Sequence, residues 1–337
     1  MTTGRTSFAK TSVALIAIAT ILGLTCCTRK SSAQTSAVDL RLDVATPFRF
    51  VAYGDARFHD PKDTEPANPA VRFALVQAVA AVNPAFIGFT GDLVYNGSDK
   101  NDWKVWDSET SSWREKNIPV YPALGNHEFH GELKTALDNY FQRFPELKES
   151  RYYSVRAANA LLLVLDSSLE EASGPQGEWL TNKLDHVSPD VNFVFLMLHH
   201  PPYTSSSDEK LHGGGHSART PEQALAKVLE ARQARTPYRI IVFSGHVHNY
   251  ERHEHGGVTY LVSGGGGAHA YPIQRMPDDP FQSNEVNYHY LLVEVGSQQV
   301  AITMNRLDLS TGKAVWTQPD SVKILAPAAA MSQTAGH

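Results

Sequence analysis

Gly245-His246-Val247-His248-Asn249-Tyr250-Glu251-Arg252 directly follows the apolar run Ile240-Ile241-Val242-Phe243, which is typical of a buried strand. Its two histidines, His246 and His248, are separated by one residue in a tight turn after that strand. Side chains placed in this way can point in different directions, so the pair suits two neighbouring metal ions better than one. The stretch therefore predicts part of a metal site at the end of a strand.

Four earlier apolar runs also end in polar turns. These turns are Gly54-Asp55, Gly91-Asp92 with Tyr95, Gly125-Asn126-His127-Glu128, and His199-His200-Pro201-Pro202. One polar residue at one strand end is weak evidence, because an aspartate after glycine is commonly a turn former. Five strand ends that all carry oxygen or imidazole groups predict a shared site, since ligands of open α/β sheets collect beyond the carboxyl ends of the strands.

Composition narrows the class of protein. The chain has 337 residues, of which 42% are hydrophobic, enough for a substantial core. A formal net charge of −5 gives no basic surface, so nucleic-acid binding has no support from composition. Both cysteines, Cys26 and Cys27, precede the predicted domain. The domain therefore has no thiol for a disulfide, a zinc finger or a cysteine nucleophile.

Residues 1–33 are predicted to be an export signal, because Arg5 and Lys10 precede an apolar segment that is short for a membrane span. Two processing outcomes are open. Ser31-Ser32-Ala33 resembles a cleavage site, and cleavage after Ala33 would release a soluble protein. Leu24-Thr25-Cys26-Cys27 resembles a bacterial lipobox, which would leave a lipid anchor on Cys27. The anchor is slightly favoured, and either outcome places the domain in the periplasm or at the cell surface.

Downstream of the signal, we expect a polar tether at residues 34–46, a folded domain at residues 47–325 and a disordered tail at residues 326–337. Within the domain, early strands alternate with helices and later strands follow one another. This order predicts a single α/β domain with mixed sheets. A long polar loop is predicted at residues 203–219, and loops of this length are often functional.

The predicted ligands are carboxylates, one amide oxygen and several imidazoles, without a thiolate. This set favours zinc, iron, manganese or magnesium. A carboxylate shared between two such ions holds them close enough to clamp the attacking and departing oxygens of a phosphoryl transfer. The ions also generate hydroxide near neutral pH by lowering the pKa of coordinated water.

Taken in order, the five motifs resemble the sequence blocks of calcineurin-like metallophosphoesterases over roughly residues 47–305. The blocks are Gly54-Asp55, Gly91-Asp92-Leu93-Val94-Tyr95, Gly125-Asn126-His127-Glu128, Leu196-Met197-Leu198-His199 and Gly245-His246-Val247-His248. The spacing of Asp92 and Tyr95 and the stretch that begins at Gly245 are closer still to the purple acid phosphatase branch. The resemblance implies a four-layer α/β/β/α sandwich with two mixed β-sheets and a metal site at the C-terminal ends of the strands.

Carried over by position, the resemblance assigns two sets of metal ligands. The first metal would be bound by Asp55, Asp92, Tyr95 and His248. The second would share Asp92 and also take Asn126, His199 and His246. Many family members have Asp-x-His in the first motif, whereas this chain has Arg57 in place of that histidine. Tyr95 would offer the missing ligand, and a phenolate favours Fe(III) paired with a divalent ion (Fe, Zn or Mn).

Six further residues have predicted roles around the metals. His127, next to the ligand Asn126, is the candidate to stabilise charge on phosphate or to protonate the leaving oxygen. Glu128 is expected to orient His127 or a ligand. Arg57 either reaches phosphate or pairs with Asp60, and the two alternatives are equally supported. The remaining candidates are a supporting or loop residue, His200, and two residues of the 203–219 loop that could line the substrate entrance, His216 and Arg219.

The resemblance implies an exported binuclear phosphohydrolase of purple acid phosphatase type that cleaves phosphomonoesters with a metal-bound hydroxide. Two alternatives stay open. One is a phosphodiesterase of the same fold that acts on nucleotides or lipid head groups, for which the 203–219 loop leaves room. The other is a surface module that binds metal or phosphate without turnover. The sequence does not indicate the oligomeric state.

Overall fold

The computed structural model describes residues 37–207 and 216–327, together with Met1. The described residues from 37 onward belong to one compact unit. The rest of the predicted export signal, the middle of the predicted 203–219 loop and most of the predicted tail lie outside the described residues. None of the described helices has the length and apolar character of a membrane span.

The described elements are fourteen strands and six α-helices. The strands are β1 (Val38–Leu42), β2 (Phe48–Tyr53), β3 (Ile87–Phe89), β4 (Val120–Pro122), β5 (Tyr153–Ala157), β6 (Ala160–Val164), β7 (Phe193–Met197), β8 (Arg239–Ser244), β9 (Tyr250–His255), β10 (Val258–Ser263), β11 (Tyr288–Val295), β12 (Gln299–Asp308), β13 (Val315–Thr317) and β14 (Ser321–Leu325). The helices are α1 (Pro69–Val82), α2 (Lys100–Glu109), α3 (Ser111–Glu115), α4 (Leu133–Arg143), α5 (Gly174–Asp185) and α6 (Thr220–Gln233).

The strands form two mixed sheets. The first sheet has the order β1-β5-β6-β7-β8-β10-β9, in which β6, β7, β8 and β10 are parallel. The second has the order β13-β12-β11-β2-β3-β4, with β14 also paired to β12, and only β2, β3 and β4 are parallel. The predicted α/β fold with two mixed sheets is therefore confirmed.

The central strands of the first sheet are buried on both faces. In β7, Phe195 contributes to the core shared with the second sheet, whereas Val194 and Leu196 contribute to a core formed with α5 and α6. This division follows from the two-residue period of a strand. Across the shared core, the ring of Phe50 in β2 makes edge contacts with Phe195 and Phe243, at centroid distances of 5.1 and 6.0 Å. The two sheets are thus packed face to face.

The predicted tether is wrong from Val38 onward. Residues Val38–Leu42 form β1, which pairs in parallel with β5. The physical reason is that the short alternating segment is stabilised by a partner more than a hundred residues away. Lys183 and Ser154 both donate hydrogen bonds to Asp39 in this strand.

Parallel strands bring the predicted site residues to one edge of the fold. Strands β2, β3 and β4 are parallel neighbours, and so are β7 and β8. Their carboxyl ends lead into the turns that carry Asp55, Asp92, Asn126, His199 and His246. The predicted position of the site, beyond the C-terminal ends of the strands, follows from this arrangement.

A buried carboxyl pair lies outside this site. Glu171, before α5, and Glu222, in the first turn of α6, are both fully buried. Apart from the neighbouring Glu222 carboxyl, no described group hydrogen-bonds to the Glu171 carboxyl, whereas Arg219 donates to Glu222. Burial, and next the charge of Glu222, raise the pKa of Glu171 from 4.5 to about 9. The folded protein therefore keeps a proton on this pair at neutral pH.

Because the folded protein retains this proton, we expect its stability to depend on pH. The unfolded chain releases it near pH 4.5 and the folded state near pH 9, so stability falls as the pH rises between these values. We expect Glu171→Gln, which cannot ionise, to reduce the fall in melting temperature between pH 5.5 and 8.5 by at least about 2 °C. Thermal unfolding across this range measures it. Glu178→Gln, at an exposed position of α5, is the control and should behave as the unaltered protein. Parallel curves for the unaltered protein and Glu171→Gln would contradict the prediction.

Candidate metal centre

The site is formed by unusually tight turns. Asp55, Arg57, Asp92 and His246 all have positive φ angles, of 60°, 47°, 53° and 68°. Residues other than glycine rarely adopt this conformation, and it clusters at functional sites where the surrounding structure enforces it. Here the turns interlock, because Asp55 N–H donates to the Gly91 carbonyl and Arg57 N–H donates to the Asp92 carbonyl.

Two glycines allow the ligand side chains to approach the backbone. A Cβ atom at Gly125 would lie 2.3 Å from Asp92 Oδ1, and one at Gly245 would lie 2.4 Å from Asp55 Oδ2. Any larger residue would displace the carboxylates. The glycine that precedes the ligand in each of these motifs therefore has a steric cause.

Asn126, His199 and His246 converge on one point. Asn126 Oδ1 lies 3.0 Å from both His199 Nε2 and His246 Nδ1, and these two nitrogens are 3.1 Å apart. His199 Nδ1 donates to the Thr90 carbonyl at 2.9 Å, so its Nε2 carries the lone pair. A lone pair that faces an amide oxygen and another imidazole nitrogen needs a cation or a proton between them.

Asp55 and His248 form a second convergence. His248 Nδ1 donates to the His269 carbonyl at 3.0 Å, which leaves the lone pair on Nε2. That atom is buried, has no hydrogen-bond partner among the described residues and lies 3.7 Å from Asp55 Oδ1. Two acceptors in this position also fit a cation. Burial lowers the pKa of both His199 and His248, so the imidazoles are neutral at pH 7, the form that binds metals.

Asp92 connects the two groups. Its carboxylate is fully buried, and Oδ1 lies 3.4 Å from His199 Nε2. Oxygen and nitrogen atoms of Asp55, Asp92 and His199 lie within 4.8 Å of one another, and so do ring nitrogens of His199, His200 and His246. Carboxylate, amide and neutral imidazole are suitable ligands for divalent transition ions. The residues present therefore fit a pair of cations.

Glu128 holds two of the ligand-bearing turns together. Its buried carboxylate accepts hydrogen bonds from the backbone N–H groups of Asp92, Leu93, Val94 and Gly125, at 2.7 to 3.3 Å. It thus joins the turn after β3 to the turn after β4. The predicted orienting role is realised through the backbone of Asp92 and not through the His127 ring.

The His127 ring lies beside the Asp92 carboxylate. Its Nδ1 donates to the Tyr95 carbonyl at 2.6 Å, and its Nε2 lies 3.8 Å from Asp92 Oδ2. Burial lowers the pKa of the ring to about 4. The ring of Tyr95 packs against His59 and His127 and is exposed. In the described part of the chain, no hydrogen bond joins its hydroxyl to Asp55 or His248.

The other predicted residues have separate positions. The rings of His200 and His216 pack against His246, with centroid distances of 4.2 and 4.1 Å. Arg219 donates to Glu222 and to the Ser167 carbonyl. Arg57 donates to Asp92 Oδ2 from Nε at 3.3 Å and from Nη2 at 3.2 Å. Arg57 therefore pairs with Asp92. The predicted alternative of a pair with Asp60 is replaced by this contact.

Several contributors were missed from sequence. The carbonyls of Thr90 and His269 fix the tautomers of two histidines, and Ser167 Oγ lies 2.8 Å from His200 Nδ1. Backbone carbonyls have no sequence signal. Ser167 follows Asp166 at the end of a predicted strand, which is the same kind of position as the other site residues.

Comparison with known proteins gives a consistent result. A family model described as calcineurin-like phosphoesterase matches residues 49–250. Purple acid phosphatase 1 of Ipomoea batatas is 28% identical over 191 residues, which cover 49% of this chain and 36% of that protein. Fe(3+)-Zn(2+) purple acid phosphatase 12 of Arabidopsis thaliana is 26% identical over 187 residues, with the same two coverages. The match thus spans little more than a third of the length of these curated relatives.

A solved structure shows the same fold. The purple acid phosphatase from seeds of yellow lupin (Lupinus luteus) matches with a TM-score of 0.62 at 18% identity, over 84% of this chain and 54% of that chain.

Proposed function

This chain belongs to the calcineurin-like phosphoesterase family, and we propose that it is an exported hydrolase of purple acid phosphatase type that cleaves phosphomonoesters with the help of two metal ions. The observation that carries the proposal is the position of Asp92 between two groups of ligand atoms, one with His199 and the other with Asp55. The relatives named purple acid phosphatases support the reaction. The sequence of residues 1–33 supports export.

The proposed ligands are the two groups of side chains that converge in the structure. Asn126, His199 and His246 would hold one cation together with Asp92. Asp55 and His248 would hold the other, again with Asp92, and Tyr95 is the remaining candidate ligand. When bound, the two cations supply a coordinated water of lowered pKa and neutralise negative charge on the phosphate oxygens.

The protein itself supplies orientation and proton transfer. Glu128 fixes the backbone of Asp92, and the Thr90 and His269 carbonyls fix the histidine tautomers. His127 presents an unprotonated Nε2 toward Asp92 Oδ2. A dianionic phosphate group would favour its protonation, and the ring could then give that proton to the leaving oxygen.

The expected metals are Fe(III) and a divalent ion. The name of the Arabidopsis relative supports this pair.

The proposal is tested with the purified protein and two chromogenic substrates. We expect p-nitrophenyl phosphate to be hydrolysed at least about ten times faster than bis(p-nitrophenyl) phosphate at equal concentration. Removal of metal with a chelator should abolish turnover of both, and added Zn²⁺, Mn²⁺ or Fe should restore it. Faster turnover of the diester would favour the phosphodiesterase alternative. Metal and phosphate binding without turnover of either substrate would favour the non-catalytic alternative.

The proton-donating role of His127 predicts a dependence on the leaving group. His127→Ala should lower kcat about 10²-fold for phenyl phosphate, whose leaving group needs a proton, and much less for p-nitrophenyl phosphate. Metal content should not change, because His127 is not among the proposed ligands. His130→Ala removes an exposed neighbouring histidine and serves as the control. Equal losses on both substrates would contradict the proton-donating role.

A further inference from the structure

The imidazole of His200 lies against two of the side chains that are proposed to hold one cation. One ring nitrogen from each of His199, His200 and His246 lies within 4.8 Å of the other two. The His200 ring packs against His246 at a centroid distance of 4.2 Å and meets His199 edge-on at 5.0 Å. Three imidazoles whose nitrogens gather in this way form a donor set that suits a transition-metal ion.

Ser167 determines which nitrogen of His200 is available to a metal. Ser167 Oγ lies 2.8 Å from His200 Nδ1 and also accepts a hydrogen bond from the His200 backbone N–H at 3.1 Å. A hydroxyl oxygen has two lone pairs, so it can accept from both groups. With the proton on Nδ1, the lone pair of the ring is on Nε2. Most metal-binding histidines have this arrangement, in which the second ring nitrogen donates to a fixed acceptor.

The surrounding structure holds His200 and Ser167 in place. Both residues are buried, with 7% and 2% of their surfaces exposed. The Ser167 carbonyl accepts a hydrogen bond from Arg219 Nη2 at 2.5 Å. Pro201 follows His200 and restricts the backbone of that residue. The imidazole therefore has little conformational freedom left to lose when it binds a ligand.

We propose that His200 Nε2 is a further ligand of the cation held by Asn126, His199 and His246, a position that we call the imidazole site. This inference rests on the proposed function, since it concerns one of the same two cations. With His200, the imidazole site has three ring nitrogens, compared with one at the other proposed site. Imidazole favours zinc and similar divalent ions over magnesium or calcium, so Zn²⁺ is an expected occupant.

Nuclear magnetic resonance of the cadmium-loaded protein tests the coordination directly. The metal-free full chain is labelled with ¹⁵N-histidine and loaded with ¹¹³Cd²⁺, whose nucleus couples to a bound nitrogen. We expect the ring nitrogens of His199, His200 and His246 to couple to the same cadmium resonance. His200→Gln should lose one of these three couplings and keep the other two. A His200 ring that carries its proton on Nε2 and shows no coupling would overturn the proposal.

Zn²⁺ affinity gives a second readout. The measurement is made by calorimetry in a His248→Ala background, in which the other site lacks a ligand. We expect His200→Gln to weaken Zn²⁺ binding at the imidazole site at least about tenfold. An unchanged affinity would count against ligation by His200.

His216→Gln is the matched control for this measurement. The His216 ring also packs against His246, at a centroid distance of 4.1 Å. Among the described residues, however, His216 belongs to neither group of clustered ligand atoms. Its replacement should leave the Zn²⁺ affinity and the three cadmium couplings unchanged. Equal losses in His216→Gln and His200→Gln would show that ring packing, and not ligation, is responsible, and would overturn the proposal.

Ser167→Ala separates ligation from the orientation of the ring. This variant removes the acceptor of His200 Nδ1 but keeps the imidazole. We expect the cadmium coupling of His200 to persist, while the Zn²⁺ affinity falls to a value between those of the unaltered protein and His200→Gln. An affinity equal to that of the unaltered protein would overturn the positioning role of Ser167.

The outcomes separate this inference from the proposed function. Cadmium that couples to His199 and His246 but not to His200 would overturn the inference and leave the proposed metal centre intact. Failure of the unaltered protein to bind either Cd²⁺ or Zn²⁺ would overturn the metal centre itself, and the role of His200 with it.

Discussion

Replacement of Asp92 by asparagine should lower kcat for phosphomonoester hydrolysis by about 10³-fold or more and reduce the bound metal to less than one ion per chain. The carboxylate is the only proposed ligand that serves both groups. An amide has similar shape, but it lacks the negative charge and presents one oxygen instead of two. Kinetic assays with p-nitrophenyl phosphate and elemental analysis of the same samples measure the two effects.

The control for this variant is Asp138→Asn, at an exposed position of α4 where the carboxylate pairs with Lys134. It should retain full activity and metal content. Near-ultraviolet circular dichroism of Asp92→Asn should match that of the unaltered protein, because the change is isosteric. A folded Asp92→Asn protein that keeps both metals and full turnover would rule out the shared carboxylate.

Glu128→Ala should lower the free energy of unfolding by roughly 4 kcal/mol or more, since it leaves four buried N–H groups without an acceptor and each costs about 1–3 kcal/mol. Those groups belong to Asp92, Leu93, Val94 and Gly125. The turns after β3 and β4 would lose their common anchor, so metal affinity should fall as well. Urea unfolding and metal titration at 25 °C measure these two losses.

A second variant separates packing from hydrogen bonding at this position. Glu128→Gln preserves the volume but replaces one acceptor oxygen with a donor, so it should recover only part of the lost stability. Glu115→Gln, at an exposed end of α3, should change stability by less than about 0.5 kcal/mol. If Glu128→Ala unfolds at the same urea concentration as the unaltered protein, the carboxylate does not hold the turns together.

Much of the fold could be predicted because its central strands have strong local signals. Strands β7 and β8 are short apolar runs that end in polar turns, and this pattern indicates both strands. Strand β9 was missed. Its sequence, Tyr250–His255, is polar, and some of its side chains bind a distant partner: Tyr250 and Arg252 both donate hydrogen bonds to Asp320. A local pattern carries no information about such a partner.

Part of the candidate site could also be predicted from the sequence, and part could not. The residues that converge were found because each follows a strand end, and topology brings strand ends together. The pairing of Arg57 with Asp92 was not found, because it depends on two positive-φ turns that place a guanidinium against a carboxylate 35 positions along the chain. For Tyr95, the spacing from Asp92 predicts a ligand, but spacing alone does not give the direction in which the hydroxyl points.

The short strand β1 affects how a shortened version of the protein should be made. It covers one side of β5, whose other side pairs with β6. A chain started at residue 47 would leave the backbone N–H and carbonyl groups of β5 open along an unprotected rim, where a second molecule could add its own strand. Recombinant versions that omit the predicted export signal should therefore begin ahead of Val38 if they are to resist aggregation.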